Sequence, residues 1–93
     1  MNKIEKAVIT VIGKDMVGIL ANVSAVCAQS GMNVTDVTQS ILQDMFAMIM
    51  MVEFTGQSIP FDVFVDKMDA LGKEHGLSIH VMHEDIFNSM HRI

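Results

Sequence analysis

The sequence predicts an α+β domain in which four strands and two helices follow one another as β-α-β-β-α-β. Three observations predict it. Short β-branched or alternating apolar runs recur along the chain, two stretches with helical apolar spacing separate them, and Gln43-Asp44 joins two strand-like segments as a hairpin turn would. At 93 residues there is room for one domain, and neither a linker nor a convincing internal repeat interrupts it.

Ala7-Val8-Ile9-Thr10-Val11-Ile12 is apolar and β-branched, which predicts the first strand, and Gly13 to Gly18 is a turn. From Ile19 the spacing becomes helical, with Ile19, Val23, Val26 and Cys27 on one face and Gly31 as the stop. Val34 to Leu42 alternates apolar and polar residues, as a half-buried strand does, and Met45 to Phe54 is a very apolar third strand. Pro60 suits the first turn of a helix, where its missing N–H costs nothing. Phe61, Phe64, Val65, Met68 and Leu71 continue that helix to Gly76. Leu77, Ile79 and Val81 alternate with Ser78 and His80, which gives a fourth strand. The order is the ferredoxin-like pattern, with both helices on one face of a four-stranded antiparallel sheet. The division expected is a domain over 1–83 and a C-terminal extension over 84–93. In that extension Ile86, Phe87, Met90 and Ile93 lie near one helical stripe. A helix so short is marginal alone and must dock on something apolar.

Composition narrows the function classes. The formal net charge is -5 and the six Lys and Arg residues are scattered, so no basic stripe is offered to nucleic acid or to an anionic membrane. The apolar run from Met45 to Val52 falls far short of the roughly 20 residues that span a bilayer. Met1 to Lys6 lacks the apolar core of a secretion signal, and the single cysteine, Cys27, cannot form an internal disulfide. Together these predict a cytoplasmic protein.

Hydrophobic residues make up 51% of the chain, more than one small core readily hides. In the third strand Ala47, Ile49 and Met51 point one way, and Phe46, Met48, Met50, Val52 and Phe54 the other. In the first, Ala7, Ile9 and Val11 oppose Val8, Thr10 and Ile12. Two helices cover only one face of a sheet, and a bare second face carrying Phe and Met is a patch of the kind that marks an interface. A homodimer is therefore expected, with Phe46, Met48 and Met50 at the contact. The alternative is that the C-terminal extension folds back over this face.

The turn Gly13-Lys14-Asp15-Met16-Val17-Gly18-Ile19-Leu20 is the most informative stretch. It fails the pattern of a phosphate-cradling loop, which ends in Gly-Lys-Ser/Thr. It does deliver the chain to a helix N-terminus, where unpaired N–H groups and the helix dipole favour a carboxylate. Asp15 has two readings, a partner for an ammonium group or the helix cap, and Gly18 likewise permits close approach of a ligand or tight packing. Followed by a helix and then by Gly31-Met32-Asn33-Val34, this stretch resembles the ACT domain family over essentially the whole chain. The similarity is to small stand-alone prokaryotic ACT proteins and to one half of the glycine-cleavage repressor. The resemblance implies a small effector, often an amino acid, held at a dimer interface between this turn and the second strand of the partner. It implicates Asp15, Met16, Val17, Gly18 and Ile19 in the turn, and Asn33 with Val34 on the strand. The commonest family turn carries Arg-Pro or similar before the second glycine and often Asn at the acidic position; here Met16-Val17 and Asp15 stand there.

No catalytic constellation is apparent. His80 and His83 are three apart on a strand and so face opposite sides, which excludes easy chelation of one ion. Cys27 sits among Val23 and Val26 on the inward helix face, the setting of an inert thiol. Ser24 has no His and carboxylate partners fixed by spacing, and Glu84-Asp85 reads as the start of a helix. The expectation is a non-enzyme without metal or cofactor, either a regulatory module for an amino acid or similar metabolite or a ligand-free protein-interaction module.

Overall fold

The computed structural model describes residues 3–14 and 18–90. The elements are β1 (Glu5–Gly13), α1 (Ile19–Gln29), β2 (Asn33–Leu42), β3 (Met45–Phe54), α2 (Phe61–His75), β4 (Ser78–His83) and α3 (Glu84–Met90). The strands form one sheet in the order β2-β3-β1-β4, each pair antiparallel. This is the predicted order, with β1 extended at both ends and β4 running two residues past Val81 and passing directly into α3.

Local chemistry explains the boundaries. Gln43 takes a left-handed backbone (φ 57°), which lets the chain reverse tightly between the closing pair Leu42 and Met45. At the end of α1, Gly31 (φ 75°) donates its N–H to Ala28 O at 3.1 Å, and the Met32 N–H reaches Cys27 O at 2.9 Å. These two bonds satisfy carbonyls that a helix end leaves unpaired. α2 has Asp62 in its first turn and Lys73 and His75 in its last, matching the helix dipole at both ends.

The core lies between the sheet and α1 and α2. Ala7, Ile9 and Val11 of β1, the even-numbered residues from Phe46 to Phe54 of β3, and Ile79 of β4 meet Ile19, Val23, Cys27, Phe64 and Met68. Phe46, Met48 and Met50, expected at a subunit contact, therefore lie in the protomer's own core, at 4%, 1% and 0% exposure. Alternation separates the two faces of β3, but both are apolar, so the pattern does not say which face the helices take. The face they leave carries Ala47, Ile49 and Met51, with Val8, Thr10 and Ile12 of β1.

That second face is partly covered from within. α3 packs against β1 and β4, and Val8, outside the main core cluster, is fully buried. With α1 and α2 committed to the opposite side, α3 is the element available to cover it. Its reach is short: Ile12 and Ile49 remain 42% and 45% exposed, and Ile86 and Met90 of α3 itself are exposed as well. Among the described residues no helix is long and apolar enough to cross a membrane.

Candidate functional site

The turn after β1 ends at Gly18, whose left-handed backbone (φ 75°, ψ 0°) places it at the N-cap of α1. Glycine adopts this conformation without the steric cost a side chain incurs. The Gly18 carbonyl accepts the first helical bond from the Asn22 N–H at 2.9 Å, and Ile19 is buried, so the helix start is anchored in the core. No acidic side chain stands in the first turn of α1. Its positive dipole end is therefore not neutralised from within that turn. Asp15, Met16 and Val17 lie outside the described residues.

Asn33 and Val34 open β2, and a hydrogen-bonded loop fixes where they begin. The Ser58 hydroxyl donates to Gly31 O at 2.8 Å and accepts the Thr55 N–H at 3.1 Å, while the Ile59 N–H donates to Ser30 O at 3.1 Å. A bulge follows between Val34 and Asp36, and the Thr35 hydroxyl donates to Met51 O at 3.3 Å. Asn33 is exposed and Val34 half-buried.

The register then separates the two halves of the expected site. Asn33 pairs with Glu53, and Glu53 with Lys6; at the other end Ile41 pairs with Phe46, and Phe46 with Gly13. Lys6 and Gly13 are seven residues apart along β1, which at strand rise is about 23 Å. Gly18 and Asn33 of one protomer therefore flank opposite ends of the sheet and do not form a common site.

β2 is an edge strand, its outer side unpaired among the described residues. After the bulge Val37 and Ile41 fall on the helix side, opposite Met50 and Phe46, yet they remain 38% and 60% exposed. α1 packs against β2. Sequence reasoning does not single out Val37 and Ile41. Val34–Leu42 reads as simple alternation, and the bulge at Thr35 that re-aims the strand carries no glycine or proline to announce it.

Elsewhere the expected chemistry is placed as follows. His80 and His83 face opposite sides of β4. Cys27 is fully buried on α1, and burial pushes its thiol from 9.0 up to about 11 against a smaller opposing effect of a backbone hydrogen bond. Among the described residues no group of three or more His, Cys, Asp or Glu side chains is arranged to hold a metal ion.

A four-stranded antiparallel sheet with α1 and α2 on one side, and Gly18 at the start of the first helix, defines a small α+β module of the ferredoxin-like type. Comparison gives it a family: an ACT domain profile matches residues 5–82, and the chain belongs to the ACT domain family. It is 46% identical over 88 residues to a UPF0237 protein of Clostridium acetobutylicum, covering 95% of this chain and 99% of the relative. The solved structure of an ACT domain protein from Streptococcus pneumoniae matches with a TM-score of 0.78 at 34% identity, over 89% of this chain and 93% of that one. A chain described as a glycine cleavage system transcriptional repressor matches with a TM-score of 0.73 at 25% identity. The match covers 86% of this chain and 46% of that longer one. ACT domains are regulatory folds that commonly bind small ligands.

Proposed function

We propose that this chain is a non-catalytic, cytoplasmic regulatory ACT domain that binds an amino acid or a similar small metabolite between two copies of itself. The observation that carries the reading is the separation of Gly18 and Asn33 to opposite ends of one protomer, together with a β2 edge that is unpaired among the described residues. A two-fold axis through the middle of β2 pairs the strand antiparallel with its copy, and that operation brings Asn33 of the partner subunit to the Ile41 end. That is the end of the sheet at which β1 finishes with Gly13, opposite Phe46. Exposed main-chain groups on an edge strand are a template for such pairing, and a two-fold contact is self-complementary. Val37 and Ile41 supply apolar area that the pairing removes from water.

In this arrangement the α1 N-terminus receives the ligand carboxylate, Asp15 its ammonium group, and the Asn33 amide of the partner subunit a remaining polar atom. Because each site needs both subunits, ligand binding and assembly are coupled: a ligand that binds the dimer alone shifts the population toward it.

Sedimentation at micromolar concentration tests assembly, with about twice the monomer mass of 10.3 kDa expected. Ile41→Asp should yield a folded monomer, because pairing would bury its charge without a partner. Calorimetry against the common amino acids should find binding that Asp15→Ala and Asn33→Ala each weaken. A wild-type monomer overturns the two-fold site; a dimer that binds no small molecule leaves the second reading, a ligand-free interaction module. The exposed Ile12 and Ile49 on the sheet face favour that second reading.

A further inference from the structure

The end of β4 holds a cluster that the ligand reading does not use. The His83 ring is wedged beside Phe54 and Phe61, with centroids 6.2 and 6.4 Å away, while those two rings stack on each other at 5.3 Å. Each ring nitrogen has its own partner. Nδ1 accepts the Asp85 N–H at 3.2 Å, and Nε2 lies 3.2 Å from Glu5 Oε1. An N–H donor at Nδ1 requires that nitrogen to be unprotonated. The neutral ring therefore carries its proton on Nε2 and donates it to Glu5. His83 immediately precedes α3, and Asp85 is the second residue of that helix. The imidazole thus fills the role usually taken by a Ser or Asp side chain at an N-cap.

We infer that His83 is a pH-responsive cap, holding α3 to the sheet when neutral and releasing the first turn of α3 when protonated. Histidine is the side chain whose ordinary charge change falls near neutral pH. A proton added at Nδ1 removes the acceptor that the Asp85 N–H uses. On the other side of the ring, the bond to Glu5 gains charge assistance and strengthens. The replacement on the α3 side is poor, since the Asp85 carboxylate is 3.6 Å from Nδ1 and 87% exposed. Such exposed pairs contribute little. Protonation therefore shifts the ring's commitment from α3 to β1. The charged groups around the ring are Glu5, Lys3 and Lys6 from the β1 side and Glu84 and Asp85 from α3, all lining one cavity of about 240 Å³; β3 and α2 present Phe54 and Phe61. Because α3 packs against β1 and β4, its release loosens that packing.

The test is a titration of the full chain, labelled with ¹⁵N and ¹³C, followed by NMR from about pH 8 to about pH 5. At the high end the His83 ring should be the Nε2–H tautomer. As it titrates, the Asp85 amide should move upfield with the same midpoint. The Cα shifts of 84–90 should lose helical character, reporting a roughly fivefold fall in the ratio of formed to frayed first turn, while β1 and β3 signals hold. His83→Asn supplies an acceptor that does not titrate and should keep the α3 signals constant across the range. An Nδ1–H tautomer, α3 signals indifferent to the ring, or α3 still titrating in His83→Asn each overturns the inference.

Discussion

The two faces of this sheet both carry apolar side chains of β1 and β3, and they meet opposite fates. On one, α1 and α2 close over Phe46, Met48 and Met50 until almost nothing of those side chains touches water. On the other, Val8 is fully buried but Ile12 and Ile49 are more than two-fifths exposed. Composition alone does not make a core; length and number of covering helices do. α1 and α2 have 11 and 15 residues against seven for α3. A helix of two turns presents too little area to finish the second face.

The most damaging test of this contrast is to charge the sealed face. Met48→Asp should abolish cooperative unfolding in urea, because a carboxylate with no partner is forced into the core. Phe64→Ala on the same side should cost about 3–5 kcal/mol, read from the shift in urea midpoint. Deleting residues 84–93 should cost less, about 1.5–3 kcal/mol, roughly the value of uncovering one buried aliphatic side chain such as Val8. Binding of an apolar dye should rise at the same time. If the deletion leaves both measurements unchanged, α3 does not cover Val8.

Cys27 probes the same contrast by pH. Its thiol is on the sealed side and ionises at about 11 when folded against 9.0 ordinarily. Between those values the unfolded chain has released a proton that the folded chain retains, so stability should fall as pH rises from 9.0 through about 11. Cys27→Ala should remove that part of the alkaline loss, and in the wild type a thiol reagent near neutral pH should react only after denaturation. The smallest effect belongs to the open face: Ile49→Asp should alter protomer stability by no more than about 0.5 kcal/mol. It should also leave the β2-edge dimer intact, whereas loss of the dimer in Ile49→Asp would move the interface to the sheet face.

Much of this architecture is legible in the amino-acid sequence. β-branched runs, helical spacing and glycine or proline punctuation depend on neighbours within a few residues, so the six predicted elements and their order follow from the chain itself. The turn from Gly13 to Gly18 is legible as well, but its cap is not. The sequence offers Asp15 as a helix cap, whereas the N-cap of α1 is Gly18 with a left-handed backbone and no side-chain cap bond. Three things are not local. Which face of β3 meets the helices depends on how β1 and β3 pair, and two apolar faces give no hint. The side on which Val37 and Ile41 fall depends on a bulge without a distinctive residue. The meeting of His83 with Glu5, 78 residues away in the chain, exists only because β1 and β4 are neighbours in the sheet.

Short-range periodicity in the chain thus accounts for the elements, their order and an excess of apolar strand over what two helices can cover. Which part of that surface is sealed, and the placing of the candidate site's two halves at opposite ends of one protomer, came from the folded arrangement. The cause is register: strand pairing sets distances between residues that no local pattern connects.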